Sequence, residues 1–455
     1  DLTYLQHSLP RDYRNQYINR LNQNLKLSAG ISYNWTFRNI SLQPEYNYAY
    51  SYIKTDNPLY RLDKISGRDS SLFDRLPSAT SILATVLDNG NTYHFTEYQN
   101  SHQFNFCYRD LHSKLLKCEI SVNLPVRIAH ANLYYQRMGR HDVSRQSIFF
   151  EPNIWLRGNA WEIKAKMNSE FPDLTTMVNY RDDSNPMNII LGNMQLRNIH
   201  YYDIEGGKTF EGKKHSRLNI NMGYHQTDNA VAYSLVFDKQ TGVSTVQPIS
   251  VNGNYRIDLG IGYTRPLDKK EKLSIDNQAS FNYNHNVDMA MVQGATQSQR
   301  SIVNNWKISN VLKLNYRLDD NYEFTLHGGG TYYLIKSQRE GFSNIHAGDY
   351  NIGVNVQVAL PWKLQLTTDL TMFARRGYQL SEMNTTDWIW NTQLSRSFIN
   401  KKLLVKLQGF DMLRQLSNTQ YLMNAQGRTE TWNNSIPRYM MLSLSWRFNV
   451  NPKKK

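Results

Sequence analysis

Long apolar runs are missing from this sequence. None approaches the roughly 18 residues that a membrane-spanning helix needs, and mean hydropathy is only −0.61. Two cysteines in 455 residues exclude a disulfide-built scaffold. The 12 histidines include no H-E-x-x-H pair and no cluster at zinc spacing. No metal, cofactor or catalytic residue is therefore expected; His141 and Asp142 read as chance neighbours. Gly328, Gly329 and Gly330 fall inside an alternating stretch, so they read as room for a close approach or bend and not as a phosphate loop. Acid is scarce relative to base: 38 Asp plus Glu against 52 Lys plus Arg, a formal net charge of +14. Basic chains often bind nucleic acid, but no element here interleaves Arg and Lys with stacking aromatics, and no nucleic-acid partner is expected. No Pro/Ser linker or charge block divides residues 1–455, which read as one domain.

Aromatics and alternation are abundant. Aromatic residues make up 12% of the chain, with 30 Tyr and 9 Trp, and apolar residues alternate with polar ones almost wherever they occur. Tyr350, Ile352, Val354, Val356, Val358 and Leu360 oppose Asn351, Gly353, Asn355 and Gln357. Past Pro361, Trp362, Leu364, Leu366, Leu370 and Met372 oppose Lys363, Gln365, Thr367 and Asp369. The same period of two runs through Leu25–Trp35, Ile40–Tyr52, Trp161–Met167, Leu218–Tyr224, Tyr255–Tyr263, Leu273–Tyr283, Leu312–Leu318 and Tyr322–Leu334. Such runs exceed the usual 5–6 residues of a soluble strand and suffice for the roughly 9–11 that a tilted transmembrane strand needs. A barrel needs apolar residues only on its lipid side, which reconciles low hydropathy with a membrane location.

Connections alternate in length too. Short polar turns near Thr36–Asn39, Arg157–Ala160, Pro266–Lys272, Leu318–Asn321, Leu360–Trp362 and Ile399–Lys402 separate longer stretches near 55–98, 173–198, 226–253, 285–305, 337–348, 376–387 and 414–436. Short turns on the periplasmic side and long loops outside are the pattern of outer-membrane barrels. The fold expected is therefore all-β: a transmembrane antiparallel up-and-down β-barrel in the outer membrane of a Gram-negative cell, with about 17 strands visible of an expected 18–22. Asp182-Asp183 and Asp319-Asp320 read as turn acids. Cys107 and Cys118 flank a turn. Parity puts Cys107 on the polar face with Phe104, Phe106 and Tyr108 opposite, and Cys118 on the apolar face with Ile120, Val122 and Leu124, so two free thiols are expected. Arg256, Lys307, Lys313, Arg317, Lys363 and Arg375 fall on polar faces and would line the lumen, either along a path for anionic cargo or paired with Asp258, Glu323 and Asp369 on neighbouring strands; pairing is the favoured reading.

The end of the chain places Met440, Leu442, Leu444, Trp446 and Phe448 on one face and Met441, Ser443, Ser445 and Arg447 on the other. Alternation up to a near-final Phe resembles the signal read by the outer-membrane insertion machinery, an expected partner together with outer-membrane lipid and lipopolysaccharide.

Two further passages resemble the barrel portion of the TonB-dependent-receptor-like outer-membrane family. In Asn185 to Arg197, the residues Leu191, Gly192, Asn193, Leu196 and Arg197 match the family's L-G-N-P-x-L-[KR] stretch, with Met194 in place of its Pro. Trp388 to Phe398, followed by Lys401 to Leu413, resembles the family's penultimate hairpin and its closing Phe-Asp-Met-Leu corner at Phe410, Asp411, Met412 and Leu413. The resemblance implies a periplasmic plug and a TonB-contacting segment before the barrel. Neither is recognisable here, so the chain is expected to be an N-terminally incomplete barrel that lacks a plug and about five strands. It further implies plug-gated, TonB-coupled uptake of a large or scarce nutrient. The alternative is a non-transporting structural or accessory barrel of an outer-membrane assembly, secretion or surface-lipoprotein complex, with other outer-membrane proteins or surface lipoproteins as partners.

Overall fold

The computed structural model describes residues 15–67, 75–77, 79, 81–113, 116–291, 295–340, 342–416, 419–423, 428–432 and 436–448. Strand accounts for 68% of it, and no helix among the described residues is long and apolar enough to cross a membrane. One sheet holds 20 strands. Three of its passes are each split in two, so the sheet makes 17 passes. They are β1 (Leu21–Ser32, continued by Trp35–Phe37), β2 (Ile40–Asn57), β3 (Tyr93–Asp110), β4 (Glu119–Asn123 and Val126–Gln136), β5 (Val143–Phe150 and Asn153–Gly158) and β6 (Trp161–Glu170). The next are β7 (Ile199–Glu211), β8 (Arg217–Asp228), β9 (Asn254–Pro266), β10 (Leu273–Ala290), β11 (Gln299–Arg317) and β12 (Tyr322–Ser337). The last are β13 (Ile345–Leu360), β14 (Leu364–Arg376), β15 (Thr386–Phe398), β16 (Leu403–Phe410) and β17 (Tyr439–Trp446).

Each pass pairs antiparallel with the next in the chain, which makes the sheet up-and-down throughout. The two longest ladders, of equal length, run without a bulge from Ile40↔Asp110 to Asn57↔Tyr93 between β2 and β3 and from Leu273↔Tyr316 to Ala290↔Gln299 between β10 and β11. Paired residues share a face, so parity set in one strand propagates to the next. Ile257, Ile308, Phe324, Leu326, Ile352 and Val354 all stand exposed on one side of the sheet. On the other side Asn282 and Asp258 are cross-strand partners, as are Asn355 and Asp369. The alternation read from the sequence is thus realised as one apolar and one polar face.

Turns at one end are tight. Residues 38–39, 159–160, 318–321 and 399–402 each reverse the chain. At the other end segments 58–92, 171–198, 229–253 and 411–438 are long, but 291–298, 338–344 and 377–385 are short because the strands reach into the stretches expected as long loops near 285–305, 337–348 and 376–387, and residues 137–142 form a further short connection the sequence reading did not separate out. Lys363 corrects another expectation. The strand begins at Leu364, and Lys363 lies in the turn Pro361–Lys363 with φ +59°, so it is off the wall. Cys107 and Cys118 are both free thiols. Cys118 is buried where the turn closes, its carbonyl accepting the Ser113 N–H at 3.0 Å.

Two neighbouring passes are interrupted at the same height. Pro125 breaks β4 and Pro152 breaks β5, with Val126↔Phe150 above the break and Asn123↔Asn153 below it. Proline brings no N–H to a ladder, and side chains fill in. Glu151 accepts the Ser169 N–H at 2.9 Å and pairs with Arg127 at 2.6 Å, while Arg127 also donates to the Ser169 carbonyl at 2.6 Å. On the loop side of this break the ladder between β5 and β6 ends, at Asn153↔Lys166.

The first and last passes each have one unpaired edge. Among the described residues β1 pairs only with β2, and β17 only with β16. The chain enters β1 from the long-loop end, where Gln16–Ile18 pairs antiparallel with Leu59–Arg61.

Facing can be tested in a background in which Cys107 and Cys118 are replaced by serine. A water-soluble thiol reagent is expected to modify Asn355→Cys and Gln357→Cys but not Val354→Cys in intact membranes. Labelling that ignored parity would overturn the two-faced wall.

Candidate functional site

The polar face is not polar everywhere. Where β3 to β5 approach their loops, Phe95, Ala131, Leu133, Tyr135 and Val143 turn apolar groups to that side, and Leu174, Met177, Val178 and Leu196 of segment 171–198 pack onto them. The long segment therefore folds inward over the sheet. Asp173 starts the fold by capping the short turn Leu174–Met177, its carboxylate accepting the Thr175 N–H at 2.9 Å. Two similar clusters lie further round. Val303, Ile335, Ile345 and Ala347 pack with Phe342 and Tyr378, and Ala232, Val251 and Val287 pack with Ile249 and Ile302.

The family-like stretch is the stitch that holds this inward fold. A Cβ on Gly192 would lie 1.7 Å from the Val178 carbonyl oxygen, so only glycine lets the two backbones meet. Asn193 donates its backbone N–H to the Thr176 carbonyl at 2.9 Å and its side-chain amide to the Pro248 carbonyl at 2.9 Å, while its side-chain oxygen accepts the Gln195 N–H. Leu196 is fully buried, and the Arg197 N–H reaches the Ser250 hydroxyl at 3.0 Å. Leu191 closes the strand Asn188–Leu191, whose residues Asn188–Ile190 run parallel to Ser244–Val246 and so join two loops in a four-stranded sheet with Ala230–Phe237 and Arg181–Asp182.

Arg137 ties a third loop in. Its side chain has no solvent exposure. It donates to the Gly90 carbonyl at 2.8 Å, to the Asn91 side chain and to Asp182 at 3.0 Å, and its guanidinium lies 4.5 Å over the Tyr180 ring. The segment between β2 and β3, the β4–β5 turn and segment 171–198 thus converge on one cation. Burial acts to raise the pKa of Asp182, but the Arg137 guanidinium and Ser184 outweigh it and hold the carboxyl below the ordinary carboxylate range. Asp182 is therefore an ion-paired residue and not the free turn acid the sequence suggested. Under this arch lies a cavity of 860 Å³ bounded by β1 to β4 and by the inward loops.

The expected lumen charges distribute unevenly. Arg256 bonds Asp258 two residues along its own strand at 2.6 Å, and Asp258 lies 3.4 Å from His225. His225 in turn meets Asp203 at 2.5 Å, and Asp203 meets Lys166 at 3.5 Å, so one chain of polar contacts crosses four passes. Arg317 takes Asp320 of its turn at 2.7 Å in place of the cross-strand Glu323. Arg375 lies 3.8 Å from Asp349, which also accepts the Tyr378 hydroxyl at 2.8 Å. The Lys307 ammonium sits 5.9 Å over the Tyr333 ring. Lys313 stands exposed between Asp276 and His327 on the adjoining strands. These groups are dispersed along the wall and do not gather into one site.

At the C-terminal end, Leu442, Leu444 and Trp446 project from one face of β17, and Phe448 follows the strand with its ring 6.2 Å from Trp446. The Phe410 to Leu413 corner is a buried-acid turn. Asp411 has φ +44°, donates its backbone N–H to the Asn391 side-chain oxygen at 3.0 Å, and accepts the N–H groups of Gln415 and Leu416 at 3.0 Å each.

Sequence reasoning did not foresee the inward arch. Its signal was present: Leu174, Met177, Val178 and Leu196 are apolar residues in a segment read as an outer loop, and Leu133 with Tyr135 break the polar parity of β4.

The fold so described is an all-β, antiparallel up-and-down sheet with its loops gathered on one face. No family model matches the chain, and no curated protein matches it. Among solved structures it superimposes on one titled "Copper transporter OprC" at 8% identity and a TM-score of 0.36, covering 97% of this chain and 82% of that one.

Two outcomes follow. Arg137→Met leaves Asp182 without its cation and is expected to loosen the arch by about 3 kcal/mol, read as faster hydrogen exchange at residues 178–182 with the wall strands unaffected. Because the folded-state pKa of Asp182 is depressed, the stability it contributes is present above the ordinary carboxylate pKa and is lost as pH falls through the lower folded value; protection factors there, which remove the intrinsic pH dependence of amide exchange, should be flat from about pH 5 to 8 and fall below about pH 4. Separately, Phe448→Asp should leave translation intact yet lower the amount of heat-modifiable protein in the membrane, since a lipid-facing charge costs about 2–4 kcal/mol at mid-depth and less near the interface. Unchanged insertion would remove the role assigned to this terminal strand.

Proposed function

We propose that this chain forms the wall of a Gram-negative outer-membrane β-barrel that takes up a large solute through a gated lumen. The observation that carries the reading is the two-faced sheet. Seventeen consecutive antiparallel passes expose apolar side chains on one face, and the opposite face carries the charges, the cavity and the inward loops. Only a surface bathed in lipid makes so much exposed apolar area favourable.

Closure completes the proposal. Unpaired N–H and C=O groups cost several kcal/mol each in hydrocarbon, so the free edges of β1 and β17 must be covered. With an odd number of passes, joining them directly would give a parallel seam. Further strands of the same barrel filling that seam give an even, antiparallel wall, and a barrel of 18–22 strands is wide enough to need a plug. TonB coupling supplies the work that moves such a plug. The second reading is a structural or accessory barrel, and the arch over the cavity favours it to the extent that the arch blocks passage.

Uptake by cells separates these readings. Deletion of the gene is expected to abolish uptake of a solute too large for diffusion pores, and collapse of the proton-motive force should have the same effect in wild-type cells. Energy-independent leakage through the purified protein in liposomes would point to an open pore. Normal uptake in the deletion strain, with loss of a neighbouring surface protein, would point to the structural role.

A further inference from the structure

Most cations at the turn end of the wall stand beside acids. Asp268 and Glu271 share the turn between β9 and β10 with Lys269, Lys270 and Lys272, and Glu271 also meets His215 of the neighbouring turn at 2.9 Å. Arg317 takes Asp320 at 2.7 Å. The last three passes differ. Residues 388–410 hold Arg396, Lys401, Lys402 and Lys406 and no acid, and no acid follows Glu430. The flanking carboxylates, Asp387 and Asp411, lie at the loop ends of β15 and β16, a strand length away, where Asp411 accepts two backbone N–H groups of its own turn. Among the described residues none of these four cations, nor Arg447, has an ion-pair partner.

Arg396 is the cation of this group that stands on the outward face. The register runs Leu360↔Leu364↔Arg396↔Val405↔Leu444 across β13 to β17, so the arginine interrupts an otherwise apolar row. The next outward row toward the turns is Phe398↔Leu403↔Trp446. The Arg396 guanidinium lies 4.7 Å over the Phe398 ring, so its stem leans toward the turn end and carries the charge to the edge of the apolar face. Its Nε–H is enclosed and meets no acceptor among the described residues. Lys401 and Lys402 follow in the exposed turn. The Arg447 N–H donates to the Lys402 carbonyl at 2.8 Å, which sets the end of β17 beside that turn. Trp362 in the next turn and Trp446 on β17 are exposed, as aromatic side chains are where membrane meets water.

A charge on the apolar face is unfavourable in hydrocarbon and becomes favourable at the depth of lipid phosphates. From this placement we infer that the turn end of β15 to β17 binds an anionic phospholipid of the turn-side leaflet. Its phosphate is held by Arg396 together with Lys401 and Lys402, and its acyl chains lie along Leu364, Val405 and Leu444. Guanidinium geometry suits phosphate, whose oxygens take two of its N–H groups at once. An acidic protein approaching from the water side would meet Lys401, Lys402 and Arg447, whereas Arg396 is reached only by a ligand that itself lies against the apolar face. The inference rests on the membrane-barrel reading above and is independent of what the barrel carries.

The experiment is native mass spectrometry of the purified full-length protein in detergent, titrated with dioleoyl phosphatidylglycerol, with the zwitterionic dioleoyl phosphatidylethanolamine and with inorganic phosphate. It is repeated on Arg396→Gln, Arg396→Lys, Lys401→Gln/Lys402→Gln, and Lys269→Gln/Lys270→Gln at the acid-matched turn. Phosphatidylglycerol is expected to bind wild type saturably and more tightly than phosphatidylethanolamine. Its affinity should fall about fivefold in Arg396→Gln, the worth of one basic residue at an anionic surface, and further in the Lys401/Lys402 variant. Arg396→Lys should restore most of the loss and the Lys269/Lys270 variant should bind as wild type, with heat-modifiable mobility unchanged throughout. Equal binding of the two lipids, or unchanged affinity in Arg396→Gln, overturns the inference. Loss in the Lys401/Lys402 variant alone overturns it in favour of a water-side acidic partner, and displacement of the lipid by inorganic phosphate overturns it in favour of a simple anion site. The barrel reading is judged apart. Protein that fractionates with the outer membrane but shows no lipid preference keeps that reading and loses only the lipid site, whereas protein recovered in the soluble fraction loses both.

Discussion

Backbone hydrogen bonding is the constraint on which the rest of this structure depends. A strand in a dry environment must give every N–H and C=O to a neighbouring strand, because there is no water to accept them. Ladders as long as that between β10 and β11 meet this demand, and their unbroken pairing transmits side-chain parity from one pass to the next. The apolar and polar faces are consequences of that transmission. So are the exceptions: where a ladder stops, at Pro125 and Pro152, Arg127 and Glu151 supply the bonds that the backbone cannot.

The ladder also explains how much of the fold was legible from sequence. Ile352, Val354 and Asn355 could be placed because period two leaves one decision per strand, and a long run makes it many times over. The count of passes and the tight turns were readable for the same reason; the free thiols were expected too, but Cys118 lies buried in the turn ahead of its strand and not outward on the apolar face. Lys363 was misplaced because alternation carries no mark where a strand ends, and a turn such as Pro361–Lys363 can continue the pattern by chance. Arg317 chose Asp320 over Glu323 because turn geometry, and not strand register, brings the nearer carboxylate to it.

The site was less legible than the wall. Its parts are far apart in sequence: Gly90 and Asn91, Arg137, and Tyr180 with Asp182 meet only because three loops fold over one another. The family-like stretch marked one of these loops without saying what it did. In the structure Gly192 is there for close backbone approach, Asn193 for bonds to two other segments and Leu196 for burial. All three are scaffold roles that position the cavity, and Gly192 also lines it. The stacked rings of Tyr93, Phe95 and Tyr135 under the arch were hidden because each ring, taken alone, reads as ordinary strand composition.

The paired interruptions at Pro125 and Pro152 give the wall a crease. Below it β4, β5 and β6 are joined by continuous backbone bonding; above it β5 keeps a backbone ladder only to β4, and its other side is held by side chains, Arg145 reaching Asn198 at 3.0 Å and Asn198 reaching Ser147 at 2.9 Å. The loop-side half of β5 is thus the part of the wall with the fewest backbone ties, hung from β4, which the unbroken β3 holds on both sides of the break.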